Sequence, residues 1–326
     1  MRSFHVGVIA PLTLPEPLNS AKAANSVCRA LEHRGYNVSA LAISNNLESE
    51  IRRMGIDIGF VAAEWPGREG ALCGMLQTMG IPHTGSGVLA SAVAGDKVRT
   101  KETLRLNNLP TTPYYVIYKD SSIAYEAIQH SFGFPVMVKP ARGTHSLGVS
   151  MAGDHEALKQ SIFAAETYYP DVLVERYVKG TEIVVGILDG RILGAAEVSG
   201  QGHDVSIEFP VRLRPTLYRG ILNLALRASC VLNVKGAVTV DMLLCEEENE
   251  YILEVNAPPD LSEDGLMATI ASGAGLGYED LVERVLFTAE ARTGEIYTNG
   301  IADKRTPAGE KDVDSAKEGL DPVFQE

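Results

Sequence analysis

The 326-residue sequence predicts a mixed α/β and α+β protein, with an open parallel α/β unit at the N-terminus and two smaller α+β units after it. Two observations carry this. Through the first ninety residues apolar runs alternate with helix-period segments, whereas further on the runs come in hairpin-like pairs separated by single helices. Hydrophobic residues make up 45% of the chain and charged residues 22%, enough apolar matter for more than one core. That balance excludes disorder throughout and a chain of membrane spans.

In order, Phe4–Ala10 reads as a strand ending at Pro11, and a helical pattern runs from Ser20 to Arg34, where Gly35 stops it. Val38–Ile43 and Ile58–Ala63 are further strands, and Glu69–Met79 is a helix closed by Gly80. The Thr84-Gly85-Ser86-Gly87 run breaks the alternation, which places a boundary near residue 93. A helix over Asp96–Leu106 opens the second unit, followed by strand Tyr114–Tyr118, a helix over Ile123–Phe132, strand Val136–Val138, a Gly-rich turn, a strand near Val149, a helix over His155–Ala165 and strand Val172–Glu175. The third unit begins with Ile183–Leu188 and Ile192–Val198, joined by Asp189-Gly190, a strong hairpin signal. A helix over Pro215–Leu232, strands Ala237–Leu244 and Tyr251–Val255, and two helical stretches to about Ala291 complete it. The units are therefore expected at 1–93, 94–176 and 177–292, with 293–326, charged and almost free of apolar periodicity, as a disordered tail.

A formal net charge of −13 without a basic cluster argues against nucleic acid or an anionic membrane as partner. The N-terminus lacks the apolar stretch of a signal peptide, so a cytoplasmic location is expected. Cys28, Cys73, Cys230 and Cys245 are far apart and form no C-x-x-C pair, which disfavours a disulfide framework or a zinc site.

Three oxygen donors fall on two predicted strands. Glu254 and Asn256, two apart, share a face, and Asp241 lies beside them if its strand pairs with theirs through the Glu246–Glu250 turn. Such a trio among apolar neighbours is costly without a cation, and hard oxygen ligands suit Mg²⁺ with phosphate. Lys139 ends a buried strand ahead of Pro140-Ala141-Arg142-Gly143-Thr144-His145-Ser146-Leu147-Gly148, a small-residue loop whose backbone N–H groups can approach a phosphate. No G-K-[ST] follows, so this is not a Walker loop.

With Gly80-Ile81-Pro82-His83-Thr84-Gly85-Ser86-Gly87, Asp96-Lys97 followed by Lys101, Val138-Lys139-Pro140, Val172–Val178 with Glu182, and Asp241 with Glu254-Val255-Asn256, the chain over about residues 4–290 resembles the D-alanine–D-alanine ligases of the ATP-grasp superfamily. The resemblance implies an ATP-grasp fold behind an N-terminal α/β domain. It also implies phosphate contacts from Lys97 and Lys139, an adenine hinge over Glu175, Arg176 and Val178, a ribose contact from Glu182, and Mg²⁺, two ions, on Asp241, Glu254 and Asn256. A homodimer acting on small amino-acid-like substrates is implied as well.

The amino-acid half departs from that family. Glu16, in the proline-rich loop 11–17, is the candidate for the acid that receives an ammonium. Glu64-Trp65 stands where the family has His-Gly, and His145 with Ser146 where it has a serine pair. Thr239 occupies the oxyanion arginine's position, Asp260 follows Pro258-Pro259, and Gly265-Leu266 replaces a Ser-Leu pair. His203, Arg212 and Arg214 are candidates to replace the missing cations. These changes remove cations and add carboxylates, so the expectation is an ATP- and Mg²⁺-dependent carboxylate–amine ligase acting through an acyl phosphate on something other than D-alanine, with intramolecular closure included. The alternatives are an authentic D-alanine–D-alanine ligase and a non-catalytic nucleotide-binding regulator.

Overall fold

The computed structural model describes residues 4–11, 18–62, 70–119, 133–143, 147–200, 206–245 and 249–296. The expected helix over 123–132 and nearly all of the expected tail lie outside them.

Strands β1 (His5–Ala10), β2 (Asn37–Ala42) and β3 (Ile58–Val61) form a parallel sheet in the order β2-β1-β3. Both faces are covered, as a parallel sheet requires. Helices α2 (Leu47–Met54) and α3 (Ala71–Thr78) bury Ile51 and Leu76 on one face, with Ile9 and Val61. On the other, α1 (Leu18–His33) places Ala24, Val27 and Leu31 against Val6 and Val8. The same core receives Met267 and Ala271, and Leu281 and Val285, from helices at the far end of the chain. The sequence reading omitted α2, whose Leu47, Ile51 and Met54 line one face of an otherwise charged stretch. It also omitted α4 (Val88–Ala94), which leads to α5 (Lys97–Leu106).

A second sheet has the order β4-β7-β5-β6, all antiparallel, from β4 (Tyr114–Ile117), β5 (Val136–Pro140), β6 (Ser150–Ala152) and β7 (Val172–Arg176), covered by α6 (His155–Glu166). Val136, Val138, Val172 and Val174 face α6, packing with Leu158 and Ile162. The two-residue period turns Lys139, Leu173 and Glu175 to the opposite face, where Leu173 meets Val98 of α5.

The third sheet, β10-β9-β8-β11-β12, is built from β8 (Gly180–Leu188), β9 (Arg191–Ser199), β10 (Ser206–Glu208), β11 (Ala237–Cys245) and β12 (Glu250–Asn256). Asp189 and Gly190, at φ 47° and 74°, make the expected two-residue turn between β8 and β9. Helix α7 (Pro215–Val231) covers one face through Ile221, Ala225 and Ala228, and Leu104 of α5 joins that core. Helices α8 (Leu266–Gly273) and α9 (Tyr278–Ile296) follow, the last continuing past the boundary expected at residue 293. Among the described residues, no helix is long and apolar enough to cross a membrane.

Candidate active site

The exposed side of the second sheet, the N-terminal turns of α5 and one end of the third sheet meet in a single charged cluster. Asp241 of β11 lies directly opposite Glu254 of β12, and Thr239 opposite Asn256. Asn256 Nδ2 donates to Asp241 Oδ2 at 3.1 Å and to Glu254 Oε1 at 3.5 Å. Lys97 Nζ, from the first residue of α5, pairs with Glu254 Oε2 at 3.0 Å and donates to the Gly143 carbonyl at 2.9 Å. Glu182 reaches the same region from β8, the strand next to β11.

Beneath this lies a second ionic group. Lys139 Nζ contacts Glu175 Oε2 at 2.6 Å, and Lys101 Nζ, one helical turn after Lys97, contacts Glu175 Oε1. Lys101 is 1% exposed and Glu175 2%. Lys101 also donates to the hydroxyls of Thr111 (2.6 Å) and Thr112 (3.0 Å), while Thr112 donates to Glu175 Oε1 at 2.7 Å. All three ammonium protons thus have acceptors, as so deep a charge demands.

Burial works against the Glu175 carboxylate, but Lys139 and Lys101 outweigh it and hold the group at about 2. Burial lowers Lys101, whereas Lys139, facing Glu175, Glu254 and Glu182, is held above its ordinary range despite burial. Two ammonium groups share one carboxylate, and the fully enclosed one is the worse compensated. Of the acids beside Asn256, Glu254 is drawn down to about 2 by Lys97 and Lys139 against its burial. Asp241 goes the other way, raised well above the carboxylate range by burial and then by Glu254 and Glu182.

That upward push on Asp241 tests whether a cation fits. Two acids, Asp241 and Glu254, converge on the Asn256 amide, and the amide nitrogen and Lys97 stand where positive charge is needed. Rotating the Asn256 amide presents its oxygen instead, completing an all-oxygen donor set suited to Mg²⁺. Among the described residues no three His, Cys, Asp or Glu side chains form a metal cluster by themselves, so the amide is a necessary part of this set.

Of the residues expected from sequence, Lys97, Lys139, Glu175, Glu182, Asp241, Glu254 and Asn256 are brought together. Arg176, the last residue of β7, is exposed, and Val178 is half-buried on the segment linking β7 to β8. Arg212 is not in the cluster: its side chain is 90% exposed and pairs with Glu208 of β10 at 2.9 Å. Arg214 is the residue before α7. Glu16, Glu64, Trp65, His145, Ser146 and His203 lie outside the described residues. Asp260 does not stand free beside the site, for its two oxygens accept from the Ser262 backbone N–H and hydroxyl, both at 2.9 Å. Sequence reasoning gave no separate role to Lys101, Thr112, Asp96 or Arg142. The four-residue step from Lys97 to Lys101 was the available signal, since it puts both lysines on one helix face.

Residues 104–287 match the sequence model of the family described as D-ala D-ala ligase C-terminus. The D-alanine–D-alanine ligase of Geotalea uraniireducens is 34% identical over 307 residues, spanning 90% of this chain and 98% of the relative. The chain belongs to the D-alanine–D-alanine ligase family. The ligase of Geobacter sulfurreducens, also 34% identical, is covered over 96% of its length, and that of Trichlorobacter lovleyi, at 35%, over 98%. The solved D-alanine–D-alanine ligase of Bacillus anthracis, crystallised with ATP, superposes with a TM-score of 0.82 at 24% identity, covering 90% of this chain and all of that one, which shows a shared ATP-grasp fold. The protein is thus an ATP-dependent carboxylate–amine ligase of the D-alanine–D-alanine ligase type, and its substrate is a small molecule of amino-acid character.

Proposed function

We propose that this ligase joins two D-alanine molecules, with ATP converted to ADP and phosphate. The observation that carries this reading is the length-wide similarity to ligases of that name, at 34% and 35% identity over nearly their whole chains. It supports the substrate assignment better than the different substrate expected from the altered loops.

In this reaction a D-alanine carboxylate oxygen attacks the γ-phosphorus of ATP, the bond to the β-phosphate oxygen breaks, and an acyl phosphate forms as ADP leaves. The amine of the second D-alanine, having lost a proton, attacks the acyl carbon, and phosphate departs. Phosphorylation supplies the leaving group, and the site supplies positioning and charge neutralisation. Lys97 and Lys139 are the ammonium groups placed to meet phosphate oxygens, the 175–178 segment to receive adenine, and Glu182 the ribose. Asp241, Glu254 and Asn256 would hold magnesium, two ions in this reading, which when bound shields the phosphates and spreads their developing charge. Glu16, His145 and Ser146 remain the proposed substrate-side groups, and Arg214, rather than the outward-facing Arg212, the candidate replacement for the missing arginine. The same reading makes the enzyme a cytoplasmic homodimer.

A second reading, a different acceptor amine, is favoured by Thr239. It is 4% exposed, faces the same side of β11 as Asp241, and brings no positive charge to an oxyanion. Purified enzyme with Mg²⁺, ATP and D-alanine alone, assayed for ADP and by mass for the dipeptide, tests both. D-alanyl-D-alanine is the expected product. ADP release that requires another amine would overturn the D-alanine assignment.

A further inference from the structure

We propose that Asp96 and Arg142 are positioning residues for nucleotide binding: their ion pair fixes the spacing between Lys97 and Lys139. The inference rests on the reading above that these two lysines meet phosphate.

Asp96 is the residue before α5 and is 8% exposed. Its Oδ1 accepts the backbone N–H groups of Val98 (3.0 Å) and Arg99 (3.1 Å), which closes the first turn of the helix. Its Oδ2 accepts Arg142 Nε at 3.1 Å, and the Arg142 guanidinium also lies 5.3 Å from the centre of the Tyr169 ring. Around the ion pair the backbones are stitched together. Asp96 and Arg142 form an antiparallel bridge, and Lys97 N donates to the Ala141 carbonyl at 2.8 Å. Lys97 Nζ then reaches the Gly143 carbonyl.

These contacts join elements whose cores differ. The far end of α5 is buried through Leu104 in the core of the third sheet, whereas β5, which carries Lys139, belongs to the second. The seam at 96–97 and 141–143 therefore sets where the Lys97 ammonium stands relative to Lys139. Capping alone does not explain an aspartate here, because asparagine caps a helix as well. What asparagine cannot supply is the anionic second oxygen facing Arg142, and a charge-assisted hydrogen bond is about twice as strong as a neutral one.

The test uses the full chain with Mg²⁺. Binding of a non-hydrolysable ATP analogue and of adenosine is measured by calorimetry for the wild type, Asp96→Asn, Arg142→Gln and the double variant. Asp96→Asn keeps the cap and removes the ion pair, so it should melt within a few degrees of the wild type. Each single variant is expected to weaken the analogue by on the order of tenfold, from the loss of one charge-assisted bond. The double variant should be no weaker than the poorer single, since one interaction is lost in all three. Adenosine, having no phosphates, should bind unchanged. Wild-type affinity in Asp96→Asn overturns the proposal, as does an equal loss for analogue and adenosine, which would mean general disruption. If Arg142→Gln does not fold, the comparison of Asp96→Asn with the wild type decides alone. A wild type that binds adenosine but gains nothing from the phosphates refutes instead the phosphate reading of the two lysines.

Discussion

Glu175→Gln is the substitution from which the buried ionic group should be read. The change is isosteric, yet it leaves the Lys101 and Lys139 ammonium groups without their shared anion, one of them wholly enclosed. Breaking a buried pair by removing one partner costs about 3–5 kcal/mol. A second route gives a similar figure: Glu175 is held at about 2 against an ordinary 4.5, and at about 1.4 kcal/mol per pH unit that gap is worth ~3 kcal/mol. Because the folded-state value lies below the unfolded one, this stabilisation is fully present above about pH 5 and is lost as the pH falls toward 2. Of the ~3 kcal/mol present at neutrality, about 1.4 kcal/mol should remain at pH 3. Urea unfolding of wild type and variant without nucleotide, at pH 7 and pH 3, measures both numbers. A difference under about 1 kcal/mol at pH 7 would refute the reasoning, and so would one of unchanged size at pH 3.

Lys101→Met leaves Glu175 paired one-to-one with Lys139 and replaces a buried charge with a flexible apolar chain, so it should destabilise by about 1–2 kcal/mol, well below Glu175→Gln in the same titration. Glu254→Gln should reduce Mg²⁺-dependent ADP release by ~10²-fold, on the scale of a single electrostatic contributor to catalysis. Near-normal turnover would remove Glu254 from the metal site. A Cβ at Gly180 would stand within contact distance of the backbone carbonyl of Leu244 and could not be relieved by a rotamer change. Gly180→Ala should therefore lower the unfolding free energy by about 2 kcal/mol, a loss read from its urea midpoint.

Most strands and helices were legible because their burial follows a simple period. The β11 and β12 runs fell within a residue or two of the observed Ala237–Cys245 and Glu250–Asn256, and the shared face of Glu254 and Asn256 is a property of any extended chain. Helix α2 was legible but overlooked: Leu47, Ile51 and Met54 recur at i, i+4 and i+7 among charged residues, the spacing of one apolar helix face. Strand β10 is three residues long and has no repeat to detect. In the site, each lysine and acid stood out singly, but the pairing of Glu175 with two lysines depends on which faces of β5, β7 and α5 meet, a tertiary fact with no local signature. The anchoring of Asp260 at the turn, where both its oxygens accept from Ser262, was hidden for a related reason. The packing of α8 and α9 onto the first sheet was also hidden, because an apolar helical stripe does not say which sheet it will cover.

The distribution of charge across the cleft makes the resting protein resemble two plates of a capacitor. Lys97, Lys101 and Lys139, the last two sharing Glu175, stand on α5 and the second sheet, while Asp241, Glu254 and Glu182 stand on the third. The plates attract, and the contact of Lys97 with Glu254 is where they touch. In the proposed reading a magnesium nucleotide would act as an inverted double layer, its cation matched to the acids and its phosphates to the lysines, so that the attraction would be exchanged rather than lost. Added salt, at a Debye length of about 8 Å in physiological salt, screens the plates, so part of the electrostatic work of parting them would be done by the solvent ions.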